Sequence, residues 1–115
     1  MPFTPTTTGA WLFLLAAGVL EIVWSIAMKY SDGFTKLWPS VVTFGAAWFS
    51  FWLLAIAVKV LPIGTAYVAW TGIGAVGAAV LGIVLFHEPA TAARIACIVL
   101  IVAGITGLKL LGGEA

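Results

Sequence analysis

Leu20-Glu21-Ile22-Val23-Trp24-Ser25-Ile26-Ala27-Met28-Lys29 sets one acid inside a long apolar run. From Ala10 to Met28, Glu21 is the only charged residue. At about 1.5 Å per residue a run of this length crosses the roughly 30 Å hydrocarbon core of a bilayer. Glu21 then lies near the midplane, where a charged side chain costs on the order of 2.5–3.5 kcal/mol. An acid retained at that depth marks an ion or proton site; the blander reading is a protonated Glu hydrogen-bonded to a neighbouring helix.

The rest of the chain repeats the pattern without the acid. Of 115 residues, 63% are hydrophobic and 8% charged, against about 25% charged in a soluble domain. Charges are absent between Lys36 and Lys59, between Lys59 and Glu88, and between Arg94 and Lys109. With the first run, these gaps define an all-α membrane protein of four transmembrane helices, expected at 9–30, 37–58, 62–86 and 92–111. A flexible tail is expected at 1–8 and a short one at 112–115. Ser31-Asp32-Gly33 reads as a turn, Pro39 fits the first turn of the second helix, and Pro62 is placed to open the third. Thr91 is a candidate N-cap for the fourth helix, where Arg94 can snorkel to the interface. The N-terminus has no Lys or Arg, so the first run does not read as a signal peptide. A net charge of +1 gives no reason to expect a nucleic-acid partner.

Four spans place both termini on one side. That face carries Lys59 and Lys109; the other carries Lys29, Lys36 and Arg94. Two against three is a weak instruction for orientation, so insertion in both directions is expected.

Residues three and four apart share a helix face, which aligns Glu21 with Gly18, Trp24, Ser25 and Met28. Trp24 offers an indole N–H and Ser25 a hydroxyl, both candidates to reach the carboxylate or its ligand. Gly18 leaves room for a ligand or for a close helix. On the third helix Tyr67, Trp70, Thr71 and Gly74 fall on one face, and their rings suit a cation. Gly72, Gly74 and Gly77 permit either a bend or close packing. Ser50 is deep enough in the second helix to partner Glu21. Ala93, Cys97, Leu100, Gly104 and Gly107 form a small-residue stripe on the fourth helix, an association face. Cys97 is the only cysteine, so no intramolecular disulfide forms. His87 has no second His or Cys to complete a metal site, and no cofactor is expected. With no Ser-His-acid set and no phosphate loop, an enzyme is not expected.

These residues together resemble the small multidrug resistance transporter family over about Gly9 to Lys109. Ala66-Tyr67-Val68-Ala69-Trp70 followed by glycines is typical of it. Trp24 three residues after Glu21, and Leu61-Pro62-Ile63-Gly64-Thr65-Ala66-Tyr67 leading to Trp70-Thr71-Gly72-Ile73-Gly74, point to its guanidinium-exporting subtype. The eight-residue N-terminal extension departs from the family's short start. The resemblance implies an antiparallel homodimer in the bacterial inner membrane, exporting guanidinium against protons by alternating access. It implies that Glu21 binds substrate and proton in competition, within a shell of Trp24, Ser50, Tyr67 and Trp70. It further implies a bend at Gly72 to Gly77, and a dimer contact on helix 4 around Cys97, Gly104 and Gly107. Guanidinium is planar with N–H donors in its plane, which match a carboxylate fork. The competing expectations are a broad quaternary-ammonium exporter of the same fold and a non-transporting accessory membrane subunit.

Overall fold

The computed structural model describes residues 4–112. Four helices follow one another: α1 (Thr7–Tyr30), α2 (Leu37–Ala57), α3 (Ile63–Phe86) and α4 (Ala92–Gly112). All four are long and apolar enough to cross a membrane. Their ends lie within two residues of the boundaries expected from the charges. The largest shift is at the start. Thr6 is the N-cap of α1, its Oγ1 accepting from the Gly9 N–H at 3.0 Å, so Thr7 and Thr8 are helical rather than part of a tail. Residues 1–3 and 113–115 of the expected tails lie outside the described residues.

The other ends follow from local chemistry. Pro39 sits in the first turn of α2, where its missing N–H is harmless. Pro62 is the N-cap of α3 and not its first helical residue. Thr91 Oγ1 accepts from the Arg94 N–H at 3.2 Å and caps α4 as expected. Arg94 does not extend alone toward the interface: its Nη2 pairs with Glu88 Oε1 at 3.2 Å. α3 stops where His87 adopts a left-handed conformation (φ 56°), and the His87 and Glu88 N–H groups both donate to the Gly82 carbonyl. The α1–α2 turn is held by Ser31, which is fully buried. Its hydroxyl donates to the Met28 carbonyl at 2.6 Å and accepts from the Phe34 N–H at 3.0 Å.

α1 is the central helix, packed against both α2 and α3, whereas α4 packs along α3. Ala10, Leu14, Ala17 and Gly18 recur at helical spacing as the buried stripe of α1. Ala10, Leu14 and Ala17 join a core with Leu53, Leu54 and Ala57 of α2, Leu61 of the connection, and Ala66, Ala69 and Trp70 of α3. This core occupies one end of the bundle: the first half of α1, the end of α2 and the start of α3. Glu21 lies just beyond it. Among the described residues 92–111 of α4, none is buried.

Candidate functional site

The site is built on the seam between α1 and α3. Small residues let the two backbones approach, and each is filled by a side chain of the other helix. A Cβ added at Gly18 would meet Ile73 Cγ2 at 2.6 Å. A Cβ at Gly77 would overlap Ile22, and one at Gly74 would overlap the Glu21 carboxyl. Glu21 therefore lies in register between two apolar contacts, its stem resting on the α3 backbone. Its Oε1 is buried and has no hydrogen-bond partner among the described residues. The same holds for Trp24 Nε1, one turn further along α1. A buried acceptor and a buried donor are thus present on one face without being joined to each other. In hydrocarbon such groups are costly, and a cation or a proton arriving between the helices would satisfy the acid.

A second polar element crosses three helices. Trp70 Nε1 on α3 donates to Ser50 Oγ on α2 at 2.9 Å, and Ser50 donates to the Ala17 carbonyl on α1 at 2.7 Å. Ser50 is fully buried and Trp70 nearly so. Ser50 thus fixes the Trp70 indole about one turn of α1 from Glu21; its hydrogen bonds go to Trp70 and Ala17. Trp70 is further flanked by Phe51 and Tyr67, with ring centroids at 5.2 and 5.4 Å.

The remaining expected site residues divide. Ser25 shares the Glu21 face, but its hydroxyl donates to the Ile22 carbonyl of its own helix at 2.9 Å. Tyr67 and Thr71 are exposed and line a groove of about 580 Å³ between α3 and α4, with Gly72, Ile101, Gly104 and Leu108. The face expected to carry Tyr67, Trp70, Thr71 and Gly74 together is therefore split: Trp70 and Gly74 turn inward, Tyr67 and Thr71 outward. Gly18 holds Ile73 rather than open space. Gly72, Gly74 and Gly77 lie within the uninterrupted helix α3, and each is a close-packing position. Gly72 receives Ile105 of α4, whose Cδ1 would stand 2.5 Å from an added Cβ. On α4, Cys97 is exposed, and a Cβ at Gly104 or Gly107 would meet nothing within 4 Å among the described residues. Sequence reasoning missed Ile73, Ile22 and Phe51. The only sequence signal for Phe51 was the aromatic run of α2; nothing marked the two isoleucines as partners of glycines.

Four apolar spans, with one half-buried acid on the seam between α1 and α3, define a small multi-pass membrane protein with an ionisable group between two of its helices. The chain belongs to the small multidrug resistance family, whose model matches residues 9–101. Among curated proteins it is 58% identical over 101 residues to the guanidinium exporter of Yersinia pseudotuberculosis, covering 88% of this chain and 97% of that protein. It is 55% identical over 101 residues to the guanidinium exporters of Citrobacter freundii and Salmonella typhimurium, covering 88% of this chain and 96% of each.

Proposed function

We propose that this chain exports guanidinium ion in exchange for protons by alternating access, working as an antiparallel homodimer in the bacterial inner membrane. The observation that carries the reading is Glu21: the one acid inside the four spans, with a buried, unpartnered Oε1 on the seam of α1 and α3. A proton and an organic cation neutralise the same carboxylate, so each excludes the other, and that exclusion couples their fluxes in opposite directions. Guanidinium offers two parallel N–H donors to the carboxylate fork. The unpartnered Trp24 indole narrows the same face and favours a small, planar, polar cation over a bulky ammonium. The names of the relatives support the same substrate. Homodimerisation is supported by α4, where Gly104 and Gly107 have nothing within 4 Å of an added Cβ among the described residues.

The test is purified chain in liposomes, with guanidinium-evoked current measured under a proton gradient. Wild type is expected to give guanidinium–proton exchange. Glu21→Gln is expected to abolish it while eluting as an intact dimer. Full proton-driven uptake by Glu21→Gln would overturn the reading. Tags at the C-terminus reporting a single orientation of the unmodified chain would overturn the antiparallel arrangement.

A further inference from the structure

We propose that Gly74 is a positioning residue: a socket on α3 that sets where the Glu21 carboxylate stands. The inference rests on the reading of Glu21 as the guanidinium site.

The seam has three rungs. Ile73 fills Gly18, Glu21 fills Gly74, and Ile22 fills Gly77. Two are apolar contacts of a kind found along any close helix pair. The middle rung differs, because its side chain is the one that must meet the substrate. A Cβ at Gly74 would collide with Cγ and Cδ of Glu21 as well as Oε1. The stem and the carboxyl group would both have to leave, not the tip alone.

A second pair in the molecule shows what this contact would mean at the surface. A Cβ at Gly82 would stand 2.5 Å from Glu88 Oε1 and 2.9 Å from its Cδ. Glu88 is 41% exposed and can swing into water. Glu21 is likewise only half-buried, but it lies in the middle of an apolar span, where a swing away from α3 would carry its charge toward hydrocarbon and not toward water. Its neighbours along the seam, Ile73 and Ile22, are themselves seated in glycines. One methyl group at residue 74 therefore moves the carboxylate relative to Trp24 and Trp70. A fork-to-fork contact with a planar cation depends on that orientation. The role is distinct from a bend in α3, which would govern the rate of the transition and leave equilibrium binding alone.

The test is calorimetric titration of guanidinium chloride into the purified full-length dimer. Gly74→Ala is expected to weaken binding at least tenfold. Glu21→Asp alone is expected to weaken it as well, because the shorter side chain falls short of the socket's position. Combined, Gly74→Ala with Glu21→Asp is expected to bind at least threefold more tightly than Gly74→Ala, since losing one methylene makes room for the new methyl. Glu21→Asp should give no such relief to Gly77→Ala, whose methyl meets Ile22. Binding by Gly74→Ala within twofold of wild type, or a loss that Glu21→Asp does not relieve, would overturn the socket. If Gly74→Ala alone does not fold, recovery of folded dimer in the double variant supports the socket, and failure of both overturns it. Wild-type binding by Glu21→Gln would instead remove the underlying reading of the acid, whatever Gly74 does.

Discussion

α3 has two seams, and they are built differently. Toward α1 its glycines are interlocked with side chains, Ile73 into Gly18, Glu21 into Gly74 and Ile22 into Gly77. Toward α4 it offers Gly72 to Ile105, while Gly104 and Gly107 of α4 receive nothing within 4 Å from the described residues of their own protomer. The same residue type is filled on both helices of the α1–α3 seam, whereas at the α3–α4 seam it is filled on α3, at Gly72, and open on α4, at Gly104 and Gly107. Between hydrocarbon-embedded helices there is no hydrophobic drive to close a seam, so close packing decides which helices stay together. The α1–α3 pair is complete in one chain. The α4 glycines Gly104 and Gly107 are left open by the described residues of the same chain, as the proposed dimer requires.

The largest effect should come from contrasting the two kinds of glycine. Gly18→Val drives three carbons into Ile73 and is expected to cost about 3 kcal/mol, the upper end for overpacking. Thermal unfolding of the detergent-solubilised protein would read this as a lowered midpoint. Gly104→Val should leave the helical content and midpoint of the protomer nearly unchanged and shift the elution of the dimer. If the two substitutions behave alike, the distinction between the seams is broken.

Next comes the acid's own face. Trp24→Gly removes the indole beside Glu21 and opens volume there. Guanidinium transport should fall by an amount equivalent to about 1.5–3 kcal/mol, the worth of a hydrogen bond to a charged group. Transport of a quaternary ammonium should rise in the same vesicles. An unchanged preference would make Trp24 a packing residue. A smaller effect is expected at the bridge to α2. Ser50→Ala leaves the Trp70 indole N–H without its acceptor and should cost about 1–2 kcal/mol, with a change in tryptophan fluorescence. The smallest is expected at the α3–α4 connection. Glu88→Gln breaks the ion pair with Arg94, but the two side chains are 41% and 38% exposed. It should change stability by less than about 1 kcal/mol.

The spans were readable because charge is rare here and each charge sits at or beyond a helix end, Glu21 excepted. Thr91 was readable because its capping needs only local geometry. The seams were not. Helical spacing says that Ser25 shares a face with Glu21, but a serine in hydrocarbon bonds the carbonyl of its own helix when nothing nearer is offered, and Ser25 does so at Ile22. Spacing also grouped Tyr67, Thr71, Trp70 and Gly74 on one face, yet that face straddles the boundary between two neighbours, α1 on one side and α4 on the other. Glycines allow bending and packing equally, and only the partner helix shows that Gly18, Gly74 and Gly77 are filled. The register of α1 on α3 is a tertiary fact that no single-helix pattern contains.

One further consequence concerns how the chain is made. α4 is joined to the rest through residues 87–91 and packs along α3. It is synthesised after the other three. At roughly 5–20 residues per second, its 21 residues take about one to four seconds to synthesise. During that interval α1 and α3 already contain both sides of the Glu21–Gly74 contact, and α2 the Ser50 that bridges Ala17 and Trp70. The order of the helices is then an order of assembly, in which the acid can seat against Gly74 of α3 before the helix with the open glycines enters the bilayer.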